Sequence, residues 1–271
     1  MVAVEQLVIV FIAGLVTALA TGLGALPFFF FDSISDRRNV LLWGLSSGIM
    51  VSASLFGLVG EGLAEGADRA GIELVGGETA VMPEVVKGLD LAGTCAGLAA
   101  KDALFPGSAE VGDALVGVRS SGIHSNGLTL ARTAVTRDGE YTDPCPFGDY
   151  DTLGEALLEP TRIYTDLLDP MRNHGVHAAA HVTGGGWTNL ERLGDHRYVV
   201  DNAFDPHPVF EFVQEAGNVS DEEMHRTFNM GTGFVAALPS SDAEALADTV
   251  GGRVIGHVEE GDGIAIRGLE L

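Results

Sequence analysis

The chain has 271 residues and a net charge of −23, from 38 acidic against 15 basic residues. A surface this acidic excludes nucleic-acid binding through a phosphate-neutralising basic patch, and a hydrophobic content of 46% excludes an acidic disordered chain. The two cysteines, Cys95 and Cys145, have neither CxxC spacing nor a close histidine, which excludes a disulfide framework and a cysteine metal site and leaves two free thiols.

Charge is distributed unevenly. Residues 1–60 hold three acids and two bases, net −1, which leaves −22 for the remainder. Dense carboxylates of this kind keep a protein soluble where salt screens charge, so the composition is read as halophilic. Three regions are expected: 1–66, a transmembrane-like helical hairpin; 67–109; and 110–271, a C-terminal domain.

Residues 7–31 carry no charge and exceed the ~20 residues that a membrane-spanning helix needs. A second uncharged stretch, 40–60, follows the polar turn containing Asp32, Asp36, Arg37 and Arg38. Small residues (Gly14, Gly22, Gly24, Gly44, Ser46, Ser47, Gly48) would let two helices approach closely. The sequence therefore predicts a membrane-associated hairpin through residues 7–60. The positive-inside rule places its Arg37–Arg38 turn in the cytoplasm and the following part of the chain outside. The run Thr21-Gly22-Leu23-Gly24-Ala25-Leu26-Pro27, the Asp36-Arg37-Arg38 turn and Gly44-Leu45-Ser46-Ser47-Gly48 resemble the first two helices of ZIP-type divalent-metal transporters. The His- and Glu-bearing helices of that family's metal path are absent and residues 1–66 contain no His, so transport is not expected.

Beyond residue 66 strands and helices alternate. Residues 91–99 and 114–118 read as strands and 126–137 as a helix with Gly139 just past its end. Residues 163–172 read as a helix bent at Pro170, 187–193 as a short helix launched from three glycines, and 197–200 as a strand. Residues 209–215 read as a helix that offers Phe210, Phe212 and Val213 to the core. Ser220 with Glu223, and Ser241 with Glu244, read as capping boxes. Strands at 233–238 and 253–258 flank a helix at 243–250. Mixed elements joined by short turns predict an α/β (α+β mixed-sheet) domain.

Four glycine-bearing segments carry the chemical signal. In Gly76-Gly77-Glu78-Thr79-Ala80, adjacent glycines let backbone amides approach a phosphate, and a carboxylate beside them can hold Mg²⁺; a tight turn with a solvated Glu is the plainer alternative. Ser120-Ser121-Gly122-Ile123-His124-Ser125-Asn126-Gly127 lies between strand and helix, where loop amides suit an anion and His124 could donate or accept a proton; a capping loop with a surface His fits as well. His181-Val182-Thr183-Gly184-Gly185-Gly186 holds more glycines than a turn needs. Arg226-Thr227-Phe228-Asn229-Met230-Gly231-Thr232-Gly233 leads into a strand and reads equally as an ordinary loop.

In order and spacing these segments, with Pro160-Thr161-Arg162-Ile163-Tyr164, resemble phosphoribosylformylglycinamidine cyclo-ligase (aminoimidazole ribonucleotide synthetase) from about residue 62 to the C-terminus. The resemblance implies ATP-dependent ring closure of formylglycinamidine ribonucleotide in purine synthesis, with ATP and Mg²⁺, in a cytoplasmic homodimer. By motif, Glu78 would be the metal residue assisting Mg-ATP, with Gly76, Gly77 and Thr79 on the nucleotide and Met82 lining its pocket. His124 and Asn126, with Ser125, would face the substrate as the catalytic side. Thr183, Gly184, Gly185, Gly186 and Asn229 would close the cleft around the nucleotide. That family has a long stretch before its Gly-Gly-Glu-Thr motif, with a glycine-rich ATP loop and further Mg²⁺ carboxylates. The membrane-like segment stands in its place, which would leave 67–109 as the remnant of the N-terminal ATP-binding domain ahead of the C-terminal synthetase domain at 110–271, so ring closure is expected to be impaired and the dimer-forming strands to be largely missing. The alternatives are a membrane-anchored, transporter-related fragment with a non-catalytic soluble passenger, and a module that binds a purine precursor without catalysis.

Overall fold

The computed structural model describes residues 60–77 and 91–271. The chain divides into two units, Met1–Asp68 and Arg69–Leu271. The hairpin expected at residues 7–60 lies, but for Gly60, outside the described residues. Among the described residues no helix is long and apolar enough to cross a membrane. A helix, α1, covers Gly60–Ala70 and buries no residue.

The second unit is built on one seven-stranded sheet. Its strands are β1 (Asp113–Arg119), β2 (Ala178–His181), β3 (Arg197–Val200), β4 (Thr232–Pro239), β5 (Arg253–Glu259), β6 (Gly263–Ile266) and β7 (Leu269–Glu270). They lie in the order β2-β4-β1-β5-β3-β6-β7, antiparallel except for the β3–β6 pair. β1 is buried along almost its whole length, which its apolar run Ala114-Leu115-Val116-Gly117-Val118 anticipates for a strand covered on both faces. Alternation along it feeds two cores. Ala114, Val116 and Val118 join Ala236, Leu238, Leu246 and Met171 on one face. Leu115 joins Trp187, Phe210, Met224, Phe228 and Ile255 on the other. Each such fully buried side chain contributes about 1.5–3 kcal/mol of transfer free energy.

The helices that cover these faces are α2 (Leu128–Val135), α3 (Leu153–Leu157), α4 (Leu168–Asn173), α5 (Pro208–Gly217), α6 (Asp221–Thr227) and α7 (Ala243–Val250), with a 3-10 helix at Gly186–Leu193. Local chemistry sets their ends. Thr152 and Glu155 form a complete capping box on α3. Pro208 opens α5 at a position where no amide N–H is needed, and Asn218 closes it in the left-handed region at φ 50°.

Several expectations are corrected. Residues 91–100 are exposed and adopt no regular structure, because an extended segment without a ladder partner is not a strand. The helix expected at 126–137 begins two residues later, behind Gly127 at φ 68°. Pro170 does not bend a helix: it is the third residue of α4, in the first turn, where its missing N–H has no intrahelical partner to lose. A 3-10 turn at Thr165–Leu167 precedes it. Ser220 accepts from the Glu223 amide, but the Glu223 carboxylate accepts from Thr227 Oγ1 instead of closing a box. At α7 the cap position is Asp242, and Ser241 Oγ donates to the Asp242 carboxylate, so no box forms. Phe212 is only partly buried, and Val209 takes the core position beside Phe210 and Val213. β2, an Ala-Ala-Ala-His strand with little intrinsic strand preference, and the short β6 and β7 were not legible in the pattern.

Candidate functional site

The C-terminal ends of β1 and β2 and the N-terminal end of β4 lie at one end of the sheet. The loops attached there are the last three glycine-bearing segments, and hydrogen bonds bring the Pro160–Tyr164 segment among them. Ser121 Oγ donates to Pro160 O (2.6 Å) and accepts from Arg162 N (3.0 Å), and Ser125 Oγ lies 3.3 Å from Thr161 Oγ1. Asn126 Oδ1 would be 3.5 Å from a Cβ on Gly184, so the His124 loop and the triple-glycine loop are neighbours.

Two buried asparagines hold these loops. Asn229 Nδ2 donates to Gly122 O (2.9 Å) and Ile123 O (3.2 Å), and its Oδ1 accepts from Gly231 N (2.9 Å). Its amide is thus committed to positioning the His124 loop, not to a ligand. Asn189, which the motif reading missed, donates from Nδ2 to Gly186 O (2.7 Å) and Gly184 O (3.1 Å), and accepts from Thr183 Oγ1 (3.3 Å). It gathers the three glycines, of which Gly185 and Gly186 stand at φ 96° and 54°. Gly184 and Gly185 are exposed, while Gly186 is buried.

At the centre stand His124, Tyr164 and His181. Their ring centroids are 5.2 Å (Tyr164–His181), 5.9 Å (His124–His181) and 6.1 Å (His124–Tyr164) apart. Phe234 stacks on Tyr164 at 5.5 Å. Tyr164 donates its hydroxyl to Arg119 O, and burial pushes its ionisation well above the ordinary tyrosine range. His124 is 4% exposed and adopts φ 65°. A left-handed residue other than Gly or Asn is strained and persists only where the surroundings over-determine it. Met230, in the neighbouring segment, is a second such residue at φ 47°. His124 Nε2 accepts from the Ser121 amide (3.2 Å), so the neutral ring carries its proton on Nδ1.

Five buried side-chain polar atoms among the described residues have no partner: Ser120 Oγ, His124 Nδ1, His181 Nε2, Trp187 Nε1 and Thr232 Oγ1. All five belong to these three loops or the residue next to them. Burying a polar group without a partner costs about 1–3 kcal/mol; of the five, His124 Nδ1 and His181 Nε2 belong to rings that stand together and could serve a ligand. The same loop borders a cavity of about 410 Å³, whose lining includes Ser121, Gly122, Phe147, Tyr150, Glu159 and His207. Tyr150 donates to Glu159 there (2.9 Å), and His207 Nε2 donates to Ser120 O (2.8 Å).

Burial holds His124 down to about 4, assisted by the neighbouring His181 and His207, and burial also lowers His181 and His207. The folded state therefore binds fewer protons than the unfolded state between about pH 6.5 and 4. The stability these neutral rings contribute is complete above pH 6.5 and is lost as pH falls toward 4. We expect the melting temperature to drop across that window, and His124→Gln to show a smaller drop than the parent chain. Equal pH profiles for the two would contradict this assignment.

Of the other residues singled out in the sequence, Gly76 and Gly77 are exposed, with open space around each. Glu78, Thr79 and Met82 lie outside the described residues. Asn126 is half-buried at the rim and Ser125 exposed. Tyr164, Trp187 and Thr232 stood inside or beside motifs, whereas His207 carried no sequence signal.

A family model for the C-terminal domain of AIR synthase related proteins matches residues 110–268, more than half of the chain and all of the loops above. The chain belongs to the AIR synthase related protein family. The family's N-terminal domain model matches residues 11–99. That match starts far ahead of residue 62, so the stretch expected to be foreign to the synthetase carries a synthase-type match, and the ZIP-like resemblance finds no support. A phosphoribosylformylglycinamidine cyclo-ligase of Methanosarcina acetivorans is 46% identical over 213 residues, covering 78% of this chain and 64% of that protein. The cyclo-ligase of Methanopyrus kandleri is 48% identical over 220 residues, covering 77% and 63%. The chain thus spans slightly less than two thirds of these relatives. A solved thiamine-monophosphate kinase from Stenotrophomonas maltophilia aligns at 19% identity and a TM-score of 0.41, covering 62% of this chain and 54% of that one.

Proposed function

We propose that this AIR synthase family chain acts in the ATP-dependent ring closure of formylglycinamidine ribonucleotide to aminoimidazole ribonucleotide. The observation that carries the reading is the pair of rings His124 and His181, brought together by two motif loops with a partnerless nitrogen on each, supported by relatives named as cyclo-ligases. In this reaction ATP phosphorylates the formyl amide oxygen of the substrate, an internal nitrogen attacks that carbon, and ADP and phosphate leave as the ring closes.

In this reading the substrate sits against His124, Asn126 and the glycines at 184–186. With its acidity set near 4, His124 is a poor proton acceptor at neutral pH and serves through its Nδ1–H, donating to charge that develops on the activated oxygen. His181 Nε2 is the second uncommitted ring nitrogen. Asn229 and Asn189 act as positioning residues through the loops they hold. By motif, Gly76, Gly77, Glu78 and Thr79 would take the phosphates of ATP. Among the described residues no group of three or more His, Cys, Asp or Glu is placed to hold a metal ion. Glu78, the residue expected to hold Mg²⁺, lies outside the described residues, and no step here passes through the metal. Use of ATP and a purine precursor places this activity in the cytoplasm, without nucleic acid.

The test is a coupled assay of the full chain with Mg-ATP and formylglycinamidine ribonucleotide. ADP and the ring-closed product should appear in equal amounts. ATP consumption without ring-closed product, or no product despite bound substrate, would reject ring closure and leave a binding module.

A further inference from the structure

We propose a second anion site on the other side of the same sheet end, built by Arg119, Arg253 and Arg267 around the loop at residues 203–205, which takes a phosphoryl group. This site does not rest on the ring-closure reading.

The geometry follows from the sheet. Arg119 ends β1 and Arg253 begins β5, the neighbouring antiparallel strand, where Arg253 pairs with Gly117. Residues 117 and 119 project to the same face, so both arginines rise from one face at one end. Both guanidiniums stand over one aromatic ring: Arg253 Cζ is 4.2 Å and Arg119 Cζ 5.6 Å from the buried Phe204 centroid. The two cations are therefore no farther apart than the sum of those distances. Arg267 closes the group from the turn after β6, donating to Ala203 O (2.7 Å) and to the Asp205 carboxylate (3.0 Å).

What sets this cluster apart is two guanidiniums on one ring. Arg162, Arg172, Arg197, Arg226 and Arg267 each hold a carboxylate, while Arg132 and Arg137 bond backbone carbonyls singly. Among the described residues, Arg119 and Arg253 have no carboxylate within 4 Å. Arg119 donates only to the backbone carbonyl Asp205 O (3.2 Å). Two cations on one ring repel, and attraction to the ring offsets part of that, about 0.5–2 kcal/mol. A guanidinium stacked on a ring keeps its edge N–H donors pointing outward in a fixed fork, which suits the oxygens of a phosphate. Both residues are partly accessible, so an anion can reach them from solvent.

The experiment titrates inorganic phosphate into the purified full chain by calorimetry, with chloride at matched ionic strength as reference. The account expects phosphate-specific binding, weakened about tenfold or more in the Arg119→Gln/Arg253→Gln double variant and unchanged in Arg172→Gln, whose partner Asp169 lies elsewhere. Ribose 5-phosphate in place of phosphate tells a free anion site from one for a phosphorylated sugar: tighter binding of the ester assigns the latter, equal binding the former. A phosphate signal no greater than that of chloride, or one that survives the double variant, overturns the proposal. Should the double variant not fold, phosphate protection of Arg253 from phenylglyoxal in the unaltered chain, read by mass spectrometry, replaces it; unprotected Arg253 is the contrary result.

Discussion

Asn229→Ala is expected to destabilise the domain by about 2–4 kcal/mol and to abolish ribonucleotide binding, although the side chain touches no ligand. Its amide satisfies Gly122 O, Ile123 O and Gly231 N–H inside the protein, where water does not replace them. Truncation leaves three buried backbone groups unpaired and a small void, and each orphan costs about 1–3 kcal/mol less what relaxation recovers. Asn229→Asp keeps the bond from Gly231 N–H but faces two carbonyls with a carboxylate, so it should be no better. Urea unfolding measures the first effect and calorimetry with the ribonucleotide the second. Near-parental stability combined with lost binding would mean that Asn229 contacts the ligand directly, against the positioning role.

The second large effect belongs to Gly233. A Cβ there would collide with the Tyr164 hydroxyl and stand 2.9 Å from His124 Cε1. Gly233→Ala therefore forces both rings to move, at about 1–3 kcal/mol for an overpacked core, and should weaken ribonucleotide binding well over tenfold because the His124–His181–Tyr164 arrangement is lost. Tyr164→Phe removes the colliding oxygen. The double variant Gly233→Ala/Tyr164→Phe should then be more stable than the sum of the single effects allows. Additive effects would show that Tyr164 does not occupy the space above Gly233.

These two positions also show what the sequence could and could not convey. The motif order pointed to loops that the fold brings to one end of the sheet, and β1, β3, β4 and β5 were legible because their apolar runs have strand length and period. Asn229 was visible as a member of a motif, yet its role was not, since nothing in a linear pattern says whether an amide faces a ligand or a neighbouring loop. Asn189 turns back on Thr183, Gly184 and Gly186 just ahead of it, a bond that residue type alone does not announce, and His207 reaches Ser120 across the fold, where no local spacing reveals it. β2 was hidden because three alanines prefer a helix, and only pairing with β4 makes them a strand. The expected strand at 91–99 failed for the converse reason: its pattern was suitable, but no neighbour pairs with it.

The central claim is that the loops around His124 and Asn126 form the substrate face. Calorimetric titration of formylglycinamidine ribonucleotide into the full chain, without ATP, tests it most directly. The account predicts saturable binding, reduced at least about tenfold by His124→Gln and by Asn126→Ala, and unchanged by Arg132→Gln on the exposed face of α2. Binding that is absent, or that is indifferent to both His124 and Asn126, would contradict it.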